Sequence, residues 1–336
     1  MALAHAPLRP KSSGESPPPT TPAPSRAGSV LMRGLQVPIV WLGPGGLYVV
    51  TASRGSPYED TIRLVGPTTG RVEAREQLPG LVVNWSHFVL SAGNLWVVIE
   101  RPNSKSSFTD DLLALGAADL HVRHRLVLPQ PAELGMAAAG GWVWVEGARD
   151  LLKVAPGTGR LESTVALPAP SSGDLASDRT GTVLASVHFG DVLDLLNPST
   201  GAVVAHYQGE QGDGAEIAGI ADGQVFTETG IGHGSSVQRF DIGDRKFHQV
   251  YGWGYSPRLV VSGDRFLFNV YAGYGARAKA PNYCGLAATG QPLATLPDQA
   301  APPEGSAVGY ARGTLYYLTA SGTTYDLDRV GLPGCR

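Results

Sequence analysis

Gly140-Gly141-Trp142-Val143-Trp144-Val145-Glu146 sets glycine against a run of strand-forming apolar residues, and the arrangement recurs six more times along the chain. It returns at Gly45-Gly46-Leu47-Tyr48-Val49, Gly93-Asn94-Leu95-Trp96-Val97, Gly181-Thr182-Val183-Leu184, Gly223-Gln224-Val225-Phe226, Gly263 with Phe266-Leu267-Phe268, and Gly313-Thr314-Leu315-Tyr316-Tyr317. Measured from Gly45 through Gly140 to Gly313, the steps are 48, 47, 41, 42, 40 and 50 residues. A period in that range marks stacked units that cannot bury their apolar faces singly.

Each unit divides further. A short apolar segment precedes the glycine, as in Ile39-Val40-Trp41, Phe88-Val89-Leu90, Met136-Ala137-Ala138 and Leu259-Val260-Val261. A third run follows a loop and opens on a short polar residue: Asp60, Asp111, Asp150, Asp191, Ser236, Asn282 or Thr323. Such side chains fold back on the backbone at turns. The third run ends in a turn such as Pro67-Thr68-Thr69-Gly70, Pro156-Gly157-Thr158-Gly159 or Pro198-Ser199-Thr200-Gly201, and a fourth run follows. Four strands, seven times, predict an all-β fold: a seven-bladed β-propeller of four-stranded antiparallel blades. The stretch Thr109–Leu128 favours helix by propensity. Its Asp111 and Leu115 fall on repeat positions, which predicts strands there. The last unit runs out of chain before its fourth strand. Open sheet edges are a liability, so Ser29–Leu35 is expected to supply that strand and close the ring.

Residues 1–28 carry Ser16-Pro17-Pro18-Pro19-Thr20-Thr21 and similar composition, and predict a disordered linker ahead of a propeller at 29–336. Net charge is −3 and no dense Lys/Arg run occurs, which argues against nucleic acid. No run of 18 apolar residues is present to span a membrane. Met1-Ala2-Leu3-Ala4-His5-Ala6 is compatible with the end of a secretory signal or with a plain tail. Cys284 and Cys335 are either a bridge formed in an oxidising compartment or two thiols. A Pro/Ser/Thr spacer ahead of a β-domain resembles exported actinobacterial proteins. The expected location is extracytoplasmic or secreted, with the cytoplasm as the alternative.

The glycine-led strand, polar opener and Pro-x-Thr-Gly turn resemble the YVTN-type and virginiamycin-B-lyase-like propellers, and also the quinoprotein repeats. The resemblance covers residues ~36–330 and implies a shared fold with many different activities. Quinoprotein repeats would imply a tryptophan in the strand after Thr-Gly. The positions after Gly70, Gly159, Gly201 and Gly290 hold none, and no cofactor is expected. The lyase family would imply a metal and a His/Glu pair at the channel mouth. The nearest such pair is Glu228 and His233.

Loops joining strands two and three share one face with the entries to the inner strands. That face gathers Asp60, Glu100, Asp111, Glu146, Asp150, Asp191 and Glu228 with His87, His188 and His233. The set could hold a divalent metal. Several of its carboxylates have a local turn-closing role, and no metal is assigned. Neither a Gly-x-Ser-x-Gly elbow nor a phosphate loop is present. Glycine-rich aromatic loops stand out instead. Tyr251, Trp253, Tyr255 and Arg258 precede or enter the sixth blade, and Tyr271, Tyr274 and Arg277 lie in its long second loop. Aromatic rings and arginines suit recognition. The chain is therefore expected to be a binding module for a protein or glycan rather than an enzyme. The alternative is a metal-assisted lyase or hydrolase at the channel mouth.

Overall fold

The structure is a computed structural model that describes residues 28–52, 59–83, 88–102, 108–130, 132, 135–168, 171–188, 192–209, 215–231, 234–254, 257–270, 282–295 and 307–335. These form seven antiparallel sheets in a ring. Strand β1 (Ser29–Leu35) opens the chain, and β2 (Ile39–Gly43), β3 (Gly46–Ala52), β4 (Asp60–Val65) and β5 (Val72–Gln77) make blade I. Blade II has an interrupted inner strand, β6 (Leu81–Val82) and β7 (Val89–Ser91), both paired with β8 (Asn94–Pro102), then β9 (Phe108–Gly116) and β10 (Val122–Val127). Blade III is β11 (Met136–Ala139), β12 (Trp142–Glu146), β13 (Asp150–Ala155) and β14 (Arg160–Ala166). Blade IV is β15 (Ser171–Ser177), β16 (Leu184–His188), β17 (Val192–Leu196) and β18 (Val203–Gln208). Blade V is β19 (Ala215–Ala221), β20 (Gln224–Ile231), β21 (Gly234–Asp241) and β22 (Lys246–Gly254). Blade VI is β23 (Pro257–Ser262), β24 (Arg265–Val270), β25 (Asn282–Leu286) and β26 (Pro292–Thr295). Blade VII takes β27 (Ala307–Ala311), β28 (Thr314–Ser321) and β29 (Thr324–Gly331) from the chain end, and β1 is its outer strand.

The recurring glycines have a conformational cause. In blades II, III, V and VII they fill two-residue turns between the first and second strands, with both central residues at positive φ. Ala92 and Gly93 stand at 50° and 73°, and Asp222 and Gly223 at 48° and 72°. Such turns match the right-handed twist of paired strands, and glycine adopts them without a Cβ penalty. Blade IV departs with the longer turn 178–183. Burial alone would raise the Asp178 carboxyl, but hydrogen bonds from Thr180, Val183 and Thr182 outweigh it and hold it below the ordinary range.

Three residues beyond the turn glycine comes the residue that wedges neighbouring blades apart. Tyr48, Trp96, Trp144, Phe226, Phe266 and Tyr316 occupy this place, all buried, with Leu184 in blade IV. Tyr48 donates its hydroxyl to Ala117 O of blade II at 2.9 Å, and Trp144 Nε1 donates to Pro198 O of blade IV at 3.1 Å. Phe226 and Phe266 meet ring to ring across blades V and VI, 5.3 Å apart. The core is thus a ring of apolar seams between sheets rather than one centre.

The expected ring closure is present. β1 pairs antiparallel with β29 from Ser29↔Arg329 to Leu35↔Tyr325. Thr109–Leu128 forms β9 and β10 with a turn between them, as the repeat register demands and propensity does not. Cys284 and Cys335 are bridged, with Cα atoms 5.9 Å apart. The bridge fastens the 3-10 turn Pro333–Cys335, beyond blade VII, to strand β25 of blade VI. No helix among the described residues is long and apolar enough to cross a membrane.

Candidate functional site

The acidic residues read from the sequence as one open rim are distributed among the seams. Asp60 is buried and accepts the Val82 N–H of blade II at 2.7 Å. Asp110, which the sequence reading passed over, does the same for Ala132 N–H at 2.8 Å. Asp174 accepts the Ile217 N–H of blade V. Asp150 takes the side-chain amide of Gln130. Buried carboxylates that accept backbone donors act as staples between sheets. Burial lifts the carboxyls of Asp60 and Asp110 above their ordinary range, against the opposing effect of those backbone bonds. Glu100 lies directly across from Asp110 in the β8–β9 register, and burial and then the Asp110 charge raise it too.

Asp111 has a different environment. It is fully buried, and Arg101 Nε and Arg125 Nη2 both donate to its Oδ2, at 3.0 and 2.6 Å. The sequence reading made Asp111 the opener of its strand; β9 begins three residues earlier, at Phe108, and two arginines close over the buried carboxylate.

Between blades III and IV two of the predicted rim residues share a seam. Glu146 accepts a hydrogen bond from Ser186 Oγ at 2.7 Å, both fully buried. Ser186 pairs across the strands with Asp194. Asp194 Oδ1 meets His206 Nδ1 at 2.7 Å. His188 Nε2 stands 2.9 Å from Asp194 Oδ2, at ion-pair distance but off the hydrogen-bond direction. His206 is the outlet to solvent, with 61% of its side chain exposed. Asp194, Ser186 and His206 were legible as outliers within an apolar strand pattern, but only the pairing register shows that they meet. Of the histidines in or beside the fourth strands, His206 and His121 are exposed, His121 just ahead of β10, whereas His124 packs over Gly159 of blade III.

A further group, Asp241, Asp244 and His248, lies in the outer hairpin of blade V. Its carboxylates already accept hydrogen bonds from Gly243, Asp244, Lys246 and His248. The side-chain hydrogen bond from Gln224 is the first cause that lowers Asp241.

The aromatic candidates are only partly within view. Tyr251 and Trp253 fall in β22 and Arg258 in β23, so their backbones flank the connection from blade V to blade VI. Tyr255, Tyr271, Tyr274 and Arg277 lie outside the described residues, as do Asp191, His87 and His233. Three hairpins that end near this face run past that of blade III, and one of them is β28–β29 of blade VII, which pairs out to Ser321↔Thr324. β8 and β9 pair out to Pro102↔Phe108, and β20 and β21 to Ile231↔Gly234, whereas β12 and β13 stop at Glu146↔Leu151.

No family model matches the chain, and no curated protein matches it. Solved structures do. BamB from Moraxella catarrhalis is 12% identical over 88% of this chain and 93% of its own, with a TM-score of 0.54. The WD40 domain of Pan2 from Neurospora crassa is 10% identical over 89% of this chain and 90% of its own, with a TM-score of 0.60. At that level of identity the chain is similar to both in fold.

Proposed function

We propose that this propeller is an extracytoplasmic binding module that engages a protein through the loops on one face. The observation that carries the reading is the set of long hairpins of blades II, V and VII. Each outreaches blade III by several residue pairs, and at ~3.3 Å per residue this is on the order of 10 Å of added reach. Along the chain, the aromatic, glycine-rich stretches 251–258 and 271–283 flank the β23–β24 pair. Variable loops on a rigid closed scaffold are the usual place for recognition. A glycan is the second ligand class that such rings suit.

The location rests on the Cys284–Cys335 bridge, because disulfides persist in oxidising compartments. Residues 1–28 fit a tether by composition. The substitutions that test the surface are Trp253→Ala and Tyr274→Ala, made singly. Rings that face a partner leave the melting temperature unchanged and abolish capture of that partner. Rings that pack between blades instead cost ~3–5 kcal/mol of stability, as large buried truncations do.

A further inference from the structure

The outer edge of blade II combines a free sheet edge with a preorganised pair of cations. β10 is the last strand of its sheet, and its Val122 and Val127 are about half exposed. The register Arg125↔Leu113 and Val127↔Asp111 puts Arg125 and Val127 on the side of the sheet that carries Asp111. Arg101 and Arg125 both bond one oxygen of that single carboxylate, and each keeps more than a third of its side chain in solvent. Two guanidinium charges thus meet one carboxylate. Arg101 bonds Asp111 through Nε and Arg125 through Nη2, so each guanidinium has further N–H groups beyond the one that carboxylate takes.

We infer that the β10 edge is a docking strand for an extended, acidic segment of a protein partner, whose backbone pairs with β10 and whose carboxylates take Arg101 and Arg125. Strand addition to a sheet edge uses main-chain hydrogen bonds for affinity and alternate side chains for specificity. Residues at every second position of the added strand would fall on the Asp111 side, where the arginines are. Planar guanidinium forks bind carboxylates in pairs of charge-assisted bonds. Charged residues also serve simply to keep edges apart. An edge guard needs no fixed geometry, however, whereas both guanidinium groups here are held by one buried carboxylate, which lowers the ordering cost of binding. Arg101 lies one residue pair from the Pro102↔Phe108 end of the loop-face hairpin, whereas Arg125 is on the outer strand, so the Arg125→Gln variant is the readout that separates this edge from the loop face.

The probes are three labelled, end-blocked octapeptides followed by fluorescence anisotropy on the full chain. One alternates glutamate with threonine, one alternates lysine with threonine, and one is the glutamate peptide N-methylated at every second residue. The glutamate peptide should bind saturably, more weakly as salt is raised, and the other two should not. Arg101→Gln and Arg125→Gln should each weaken it about tenfold, or ~1.4 kcal/mol. Circular dichroism checks folding. If either glutamine variant unfolds around Asp111, Arg101→Lys and Arg125→Lys keep the charge, lose the fork, and should show a smaller loss. The inference is overturned if the glutamate peptide fails to bind, if the lysine or N-methylated peptide binds equally, or if binding ignores both arginines. Binding of a heparin oligosaccharide without binding of the peptide also overturns it.

Discussion

Ala92 at φ 50° shows how much of this chain's local design rests on single residues at turns. The two-residue turn needs positive φ at both centres, and asparagine before glycine suits it best. Ala92→Asn is therefore expected to stabilise by about 0.5–1 kcal/mol in denaturant melts. Gly93→Ala should cost ~1–2 kcal/mol, and the cost is backbone strain alone, since nothing lies within 4 Å of the added Cβ. Arg245 offers a second case. It sits at φ 61° in the outer turn of blade V, where blades I, III, IV and VI place Gly70, Gly159, Gly201 and Gly290. Arg245→Gly should gain stability where the same change at an ordinary strand position would lose it. Gly70 has a further constraint, because its Cβ would lie 2.4 Å from Leu31 O on the closing strand. The sequence exposes most of these positions, because a requirement for positive φ leaves glycine in the outer turns of blades I, III, IV and VI, while Leu120 and Arg245 hide it in blades II and V.

At the scale of the blade, the seams carry the chemistry that was hardest to foresee. The wedge residues three places after each glycine were visible as spacing: Trp96 and Trp144 repeat as regularly as the glycines do. The carboxylates were visible only as residue types. Whether Asp60 lines a rim or staples a seam depends on which face of β4 it takes and on where Val82 of the next blade passes. Both are properties of the ring rather than of the local sequence. The Glu100–Asp110 pair gives a testable pH signature. Both groups have folded values above their unfolded ones, so the folded state holds protons that the unfolded chain has released. Their contribution to stability is greatest at acid pH and falls as pH rises from the ordinary carboxylate range through the raised values. Glu100→Gln should accordingly raise the melting temperature at neutral pH and flatten its pH dependence below neutrality. A lower melting temperature at neutral pH in that variant would mean that Glu100 stabilises the blade as a carboxylate.

For the whole molecule, closure is achieved twice. β1 completes blade VII with the opposite end of the chain, and the disulfide fastens the segment beyond β29 to blade VI. With the cysteines 51 positions apart in sequence, loop entropy alone gives the bridge about 4 kcal/mol. Reduction, or Cys335→Ser, should lower the melting temperature, and reductant should have no further effect on the variant. The seven-fold repeat and the closing strand were legible because they are periodic and because an unfinished last unit requires a donor. The bridge stayed open in the sequence because its geometry depends on two blades meeting. The proposed recognition surface was legible only as composition: aromatic residues and glycine around β22 to β24, beside long hairpins that periodicity does not size. A photo-crosslinking amino acid placed in turn at Phe108 on the loop face and at Arg312 on the opposite face tests the central claim most directly. The expected result is one discrete protein crosslinked from position 108, lost in the Trp253→Ala variant, and none from position 312. Equal crosslinking from both faces, or a partner captured only from position 312, would contradict it.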